Sequence, residues 1–325
     1  MATYIYKLRF DSPLLVSSDP FYLEKPEIMI HSDTLFSAII NTLSYINGGL
    51  SESFTGKPPF ILSSAFPYYN DTLFFKKPRI SIISEELGDL SKKLKKAQFV
   101  SEDVFKKIVK GERIEIDNLS FNEEFLSSSK IQGEMFALSE VPRCKIDRLT
   151  NATDIFYSNR LVFSPDSGLF FLTDFKEQTY KSQFDSAVNL LGESGIGGER
   201  SLGFGRFKVM NVKEFKVPLE EQQSQSYFTN LSLYHPQKAE VDSGLLERAR
   251  YDIIERQNWI YSGGPTPLRS KSVRMFSEGG VFSYVKGVEG DLVDTTPQIA
   301  DKLNYLNHRV YRSGLLFRYP VALKD

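Results

Sequence analysis

Gly195-Ile196-Gly197-Gly198-Glu199-Arg200-Ser201-Leu202-Gly203-Phe204-Gly205-Arg206-Phe207 places five glycines in eleven residues, 195 to 205. Upstream, Phe184, Ala187, Val188 and Leu191 recur at helical spacing; downstream, Phe204 to Val212 reads as a strand. Glycine accepts positive φ and lets another molecule approach backbone N–H groups closely. The segment therefore has two readings. Either successive amides form an anion-binding concavity beside Arg200 and Arg206, with phosphate as the natural occupant, or the glycines serve a helix C-cap and a bulged strand entry. Two other phosphate loops fail on inspection. Gly198 to Gly203 has the Walker spacing but continues as Phe204-Gly205, and Gly195 to Arg200 lacks the third glycine of the dinucleotide fingerprint. Neither an NTPase nor a dehydrogenase follows.

Working outward, Tyr4, Tyr6, Leu8 and Phe10 alternate with Ile5, Lys7 and Arg9, the period of a half-buried strand with cations on its less apolar face. Leu35, Phe36, Ile39, Ile40, Leu43 and Ile46 predict a helix over about 33–46, with Ser32 and Asp33 as N-cap candidates and Asn47-Gly48-Gly49 as its end. A hairpin is expected to turn at Asn70-Asp71. A Lys-rich helical stretch follows, with Leu87, Leu90, Leu94 and Ala97 on one face and Lys92, Lys93, Lys95 and Lys96 on the solvated one. Ser127-Ser128-Ser129 reads as a loop, and the strands Ile155 to Phe163 and Leu169 to Asp174 as a hairpin turning at Pro165 to Gly168. The order β, α, insertion, β, β, α, β is the split βαβ or ferredoxin-like arrangement with a four-stranded antiparallel sheet. Pro218 and Glu220 to Ser226 read as a linker. Beyond it, strand candidates at 227–234, 271–276, 280–285 and 309–319, with helical character from Leu245 to Arg256, predict a second, smaller α+β domain. The expected domains are 1–213, with an insertion at about 50–154, and 214–325.

Forty Lys+Arg against 41 Asp+Glu give a net charge of −1 over 325 residues, which argues against nucleic acid coating the whole surface but leaves room for a local basic site. Cations gather in three stretches: Arg143, Lys145, Arg148 and Arg160; Arg200, Arg206, Lys208 and Lys213; Arg269, Lys271, Arg274 and Lys286. Solvated surface charge explains any one of them alone. The single cysteine, Cys144, excludes an intrachain disulfide, and three histidines leave no recognisable zinc spacing, so no metal or cofactor is expected. There is no apolar run of membrane-spanning length and no signal-peptide h-region at MATYIYKLRF, so a cytoplasmic protein is expected. His31-Ser32-Asp33-Thr34-Leu35 is a polar box at a helix start. His31 either contacts phosphate or acts as a general acid there, or merely adjoins a capping Ser32 or Asp33. No second histidine can be placed with it.

Together these segments resemble the RAMP superfamily of CRISPR proteins. GIGGERSLGFGRF (195–207) resembles its glycine-rich loop. HSDTLFSAI (31–39) resembles the first-helix box of one subgroup, the fourth subunit of the Csm complex, and VPRCKIDRLTNATDIFY (141–157) that subgroup's central Arg-rich segment. KSVRMFSEGGVF (271–282) is similar to its second-domain glycine turn. The resemblance implies an α+β protein of two ferredoxin-like (RRM-like) domains, serving as a subunit of a type III-A antiviral effector. Such a subunit holds the repeat-derived 5′ handle of crRNA, abuts the large signalling subunit and an adjacent guide-binding RAMP subunit, and lies near the handle end of the target RNA. No nuclease centre is implied. The residues expected to bind RNA are His31, Ser32, Arg143, Lys145, Arg148, Gly195, Gly197, Gly198, Arg200, Ser201, Gly203, Gly205, Arg206, Lys271 and Arg274, with the segment from about Pro142 to Ile155 reaching along the guide. A processing endoribonuclease that uses His31 and a scaffold whose glycine loop only packs are the rival readings. The near-neutral charge implies that an acidic face offsets the basic one, turned toward a protein partner.

Overall fold

The computed structural model describes residues 2–17, 26–49, 53–80, 94–112, 114, 119–217, 227–260, 268–299, 306 and 308–322. The alternation at the N-terminus forms strand β1 (Thr3–Phe10), and the 3.6-residue stripe forms helix α1 (Ser32–Asn47), which ends where Gly48 takes a left-handed φ of 67° and returns its N–H to the Ser44 carbonyl. A short helix α2 (Ser53–Gly56) leads into β2 (Phe60–Leu62), β3 (Phe66–Tyr69) and β4 (Thr72–Lys76), with the turn at Asn70-Asp71 as expected. Strand β5 (Phe99–Ser101), helix α3 (Glu102–Val109) and strands β6 (Ser120–Asn122) and β7 (Phe125–Ser127) follow. Next come β8 (Phe136–Ile146), β9 (Thr153–Phe163), β10 (Ser167–Phe175), helix α4 (Lys181–Ser194) and β11 (Phe207–Phe215).

Among the described residues one nine-stranded sheet runs β11-β1-β10-β3-β4-β5-β7-β6, with β2 also on β10. The expected four-stranded sheet is thus extended by the insertion, whose strands continue it past β10. Its pairing is antiparallel except between β5 and β7, which run parallel. One face carries Tyr6, Leu8, Phe10, Leu169 and Phe171 under α1 and α4, through Leu35, Phe36, Ile39 and Leu43 and through Phe184, Ala187, Val188 and Leu191. Each fully buried side chain of this size stabilises by about 1.5–3 kcal/mol. The other face packs Ile5, Phe66, Phe170 and Leu172 with Phe75 and Phe105, and with Leu231, Phe317, Tyr319 and Val321 from beyond residue 226.

Several expectations need correction. Strand β9 does not form a hairpin with β10; it pairs along its whole length with β8, while β10 lies between β1 and β3. Periodicity missed β8 because Pro142 interrupts it and its outer end, from Cys144 to Ile146, is exposed on both faces. Ser127 closes a strand and is buried. The helical character expected over Leu245 to Arg256 gives way to a turn, in which Gly244 and Arg248 take φ of 92° and 57°, and to strand β13 (Ile253–Arg256). The remaining elements are β12 (Tyr227–Asn230), α5 (Lys238–Asp242), β14 (Val273–Phe276), β15 (Val281–Ser283), β16 (Gly290–Asp294), β17 (Tyr311–Leu315) and β18 (Arg318–Val321). They form the sheet β15-β12-β18 and the pairs β13-β14 and β16-β17. With only the five-residue α5 as a named helix among these described residues, the two crossover helices expected of a second ferredoxin-like unit are not seen there. Most of the Lys-rich stretch (81–93) and the linker 218–226 lie outside the described residues. No helix among the described residues is long and apolar enough to cross a membrane.

Candidate nucleic-acid interface

The glycine loop begins where α4 stops. Gly195 takes φ 81° and sends its N–H to the Leu191 carbonyl at 2.7 Å, ending the helix. The Gly198 amide donates to the Leu15 carbonyl (2.8 Å), Gly203 to Arg200 (2.9 Å) and Gly205 to Pro13 (2.8 Å). A Cβ at Gly195 would lie 2.3 Å from the Phe204 carbonyl oxygen, at Gly197 2.5 Å from that of Leu15, and at Gly205 1.9 Å from that of Ile196. The close approach that demands glycine at these positions is therefore by the chain's own backbone, and four of the five amides are spent inside the molecule. The expected amide cradle for phosphate at Gly195, Gly198, Gly203 and Gly205 is corrected accordingly. What the loop presents outward is side chains: Arg200 is half-buried, and Ser201 and Arg206 are exposed, the last with its Nε 4.0 Å from Asp11 Oδ1.

The loop also holds the β8-β9 hairpin. Glu199, itself in the left-handed region at φ 56°, accepts a 2.9 Å hydrogen bond from Arg143 Nη2 and pairs with Arg160 Nη2 at 2.8 Å; the Arg160 guanidinium lies 4.2 Å from the centre of the Phe204 ring. Arg160 is buried, so this ion pair is far less screened than a surface one. Beyond that anchor the hairpin projects. Its turn is ordered by Asp147, whose carboxylate accepts the Leu149 and Thr150 amides at 2.8 Å each; those amides hold its pKa below the usual carboxylate range. Lys145 and Arg148 are exposed beside Ile146, Leu149 (94% exposed) and Ile155.

His31 and Ser32 prove not to be surface residues. His31 is the α1 N-cap with no side-chain cap bond and is 5% exposed. Its Nδ1 meets Glu278 Oε1 at 2.8 Å and its Nε2 lies 3.1 Å from Glu27 Oε2. Burial alone lowers the imidazole pKa, but Glu278 and then Glu27 outweigh it and push it up to about 10, so the ring is cationic. Ser32 neither caps nor faces solvent: its Oγ accepts the Leu233 amide at 3.0 Å. Asp33, fully buried, receives Arg256 as a fork at 3.0 and 3.1 Å and a further bond from Arg312; against its burial, the two guanidinium groups hold its carboxyl well below the usual range. Ser64 donates to Glu278. Three cations (His31, Arg256, Arg312) thus face three carboxylates (Glu27, Asp33, Glu278), and at the N-terminus of α1 the Ser32 amide donates to Ser64 Oγ and the Thr34 amide to Asp33 Oδ1. The expected RNA contacts at His31 and Ser32 are corrected: neither side chain is accessible. His31 does have carboxylate partners: Glu27 lies four residues upstream, whereas Glu278, 247 residues away, could not be revealed by local spacing.

Lys271 and Arg274 are exposed beside and on β14, Arg274 opposite Glu255 of β13. Among the described residues no hydrogen bond or ion pair joins either to the glycine loop. Sequence reading also missed Glu199 as the anchor of Arg143; the signal was its position, the one acid amid Arg200, Arg206 and Lys208.

Residues 7–208 match the profile of the RAMP superfamily, and the chain belongs to that superfamily. Residues 222–321 match the CRISPR Csm4 C-terminal domain. Similar proteins include the CRISPR system Cms protein Csm4 of Thermococcus onnurineus (strain NA1), 26% identical over 90% of this chain and 92% of that protein, and that of Methanocaldococcus jannaschii, 23% identical over 90% of each. The fold is shared with a chain in the crystal structure of a Csm3-Csm4 subcomplex of a type III-A interference complex (TM-score 0.68, 18% identity, 99% of this chain and 100% of that one). It is shared too with a chain in a Csm1-Csm4 cassette with cA4 (TM-score 0.61, 21% identity, all of both chains).

Proposed function

We propose that this Csm4-family chain is a non-catalytic, crRNA-binding subunit of a type III-A effector, holding the 5′ repeat-derived handle between its outward-facing loop cations and the β8-β9 hairpin. Its core, with the order β11-β1-β10-β2 and α1 and α4 on one face, is read as ferredoxin-like. The observation that carries the proposal is the hairpin: eleven residues per strand, locked at its root by Arg143 and Arg160 on Glu199, with Lys145, Arg148 and Leu149 exposed at its end. Cations for phosphates beside apolar side chains for unstacked bases is the chemistry of single-stranded RNA recognition. Arg200, Ser201 and Arg206 supply phosphate contacts at its root, and Gly197 lets the loop pack there. Lys271 and Arg274 form a separate basic contact on the C-terminal part. The large signalling subunit and an adjacent guide-binding RAMP subunit are the proposed neighbours, as in the complexes that the solved relatives represent, with target RNA near the handle end.

Burial of His31 between two carboxylates speaks against the endoribonuclease reading, since a general acid must come within hydrogen-bond reach of the reacting atom. The test is co-expression with the genomic neighbours and a crRNA array, followed by sequencing of co-purified RNA. Reads that share a repeat-derived 5′ end, and their loss when residues 145–154 are replaced by Asn-Gly, are expected. Undiminished recovery of handle-bearing RNA with the shortened hairpin would overturn the proposal.

A further inference from the structure

The pairing of β1 with β11 contains a register shift between Lys7 and Leu8: Lys7 faces Asn211, whereas Leu8 faces Val209, so Met210 is an extra residue. Lys208 and Lys213 are five positions apart, and strict alternation would put them on opposite faces of the sheet. The bulge reverses that parity. With it, Lys208 stands beside Arg9 and Lys213 beside Ile5, on the face that also carries Lys7. Four cations, Lys7, Arg9, Lys208 and Lys213, thus line one strip on the face opposite α1 and α4, at the margin where the apolar cover over Phe170 and Leu172 ends.

Lys208 and Lys213 are exposed, and Lys7 and Arg9 are half-buried. The Lys7 ammonium lies 4.9 Å from the Tyr68 ring centre and 3.9 Å from Asp71, the one carboxylate among the described residues in ion-pair contact with the strip. Among the described residues no carboxylate lies within ion-pairing distance of Arg9, Lys208 or Lys213. The strip ends at the glycine loop, where the Asp11 amide donates to the Arg206 carbonyl at 3.1 Å and Arg206 follows as the next exposed cation. Protection of an open sheet edge accounts for lysines on β11. It accounts neither for cations on β1, which is paired on both sides, nor for a bulge that aligns both sets on one face.

We infer that this strip is a second binding track for the sugar-phosphate backbone of single-stranded RNA, continuing from Arg206 along β1 and β11. The inference rests on the RNA-binding reading above and adds residues outside the glycine loop and the hairpin. Lys7 and Arg9 are roughly 6.8 Å apart along β1, and Lys208 and Lys213, which face Arg9 and Ile5, about twice that along β11, so each can meet a different phosphate of an extended strand. Contacts of this kind position the strand without reading its bases.

The probe is a 5′-fluorescein-labelled oligouridylate 20-mer, titrated by anisotropy against the full chain from 0.05 to about 0.5 M salt, a range in which ionic contacts are read from the slope of log affinity on log salt. The Lys208→Ala/Lys213→Ala double variant is expected to flatten the slope by about 1.4, equivalent to a roughly 25-fold loss at 0.05 M relative to 0.5 M salt. The single variant Lys208→Ala should give half that change, and the exposed Lys176→Ala should leave it unaltered. All these side chains are exposed, and circular dichroism of each variant should match the wild type. An unchanged slope in a double variant that folds, with the wild type binding, overturns the track alone. Failure of the wild-type chain to bind removes the RNA-binding reading and the track with it.

Discussion

Asp33 carries two guanidinium groups at full burial, and its neighbour His31 carries two carboxylates. Removing one member of such a cluster strands its partner's charge out of water. His31→Ala is therefore expected to cost about 3–5 kcal/mol, seen as a lowered urea midpoint. The pH dependence has a definite sign. A folded pKa of about 10 lies above the roughly 6.5 of an unfolded histidine, so the His31 contribution is complete below about pH 6.5 and is lost as pH rises through 10. Asp33 and Glu278 are depressed, so their contributions hold above the unfolded carboxylate range and vanish as pH falls through their folded values. Urea unfolding between pH 6 and pH 9.5 should show stability falling in the wild type, with that decline much reduced in His31→Gln. The loop glycines behave unequally. Gly205→Ala forces a Cβ against the Ile196 carbonyl at positive φ and should cost about 3 kcal/mol or more, whereas Gly203→Ala, with open space beside it, should cost about 1–2 kcal/mol for its left-handed φ alone. Equal losses at the two sites would show that the loop can shift to admit a side chain.

At the scale of elements, the β8-β9 hairpin separates into a root and a projection. The root includes Leu161, which bridges Leu14 in the helix-side core, and the Arg143-Glu199-Arg160 group; the projection from Cys144 to Ile155 is exposed throughout. Shortening the projection should leave the thermal midpoint close to wild type, because surface changes away from core, caps and networks usually fall within ±0.5 kcal/mol. Glu199→Ala should act on the root, leaving buried Arg160 without its carboxylate at a cost of about 1–3 kcal/mol. It should also raise hydrogen exchange across 136–146 and 153–163 by more than across β10. Exchange confined to the turn at 147–152 would contradict the anchoring role.

At the scale of the molecule, no clean seam follows the expected boundary near 214–226. The core that holds Ile5, Phe66 and Phe170 also holds Leu231, Phe317 and Tyr319, and the buried ion cluster ties α1 to β13, β17 and Glu278. The full chain should accordingly unfold in one calorimetric transition with matching calorimetric and van't Hoff enthalpies. Two resolved transitions would mean that residues beyond 226 fold as an independent unit despite the shared core. Expressed alone, residues 1–217 would expose the Phe170 face and leave His31 and Asp33 without Glu278, Arg256 and Arg312.

The sequence by itself determined α1, α4, β1 and the turn at Asn70-Asp71, because 3.6- and 2-residue periods and left-handed turn residues act over a few positions. It also determined the glycine loop's place between α4 and β11, and the family resemblance those segments carry. Only the tertiary structure decided which strand β9 pairs with, that His31 and Ser32 are buried, that the loop glycines answer to Leu15, Phe204 and Ile196, and that Lys208 and Lys213 share a face. Each of these depends on contacts between residues far apart in the chain or on one inserted residue in a strand, and neither leaves a mark in local periodicity.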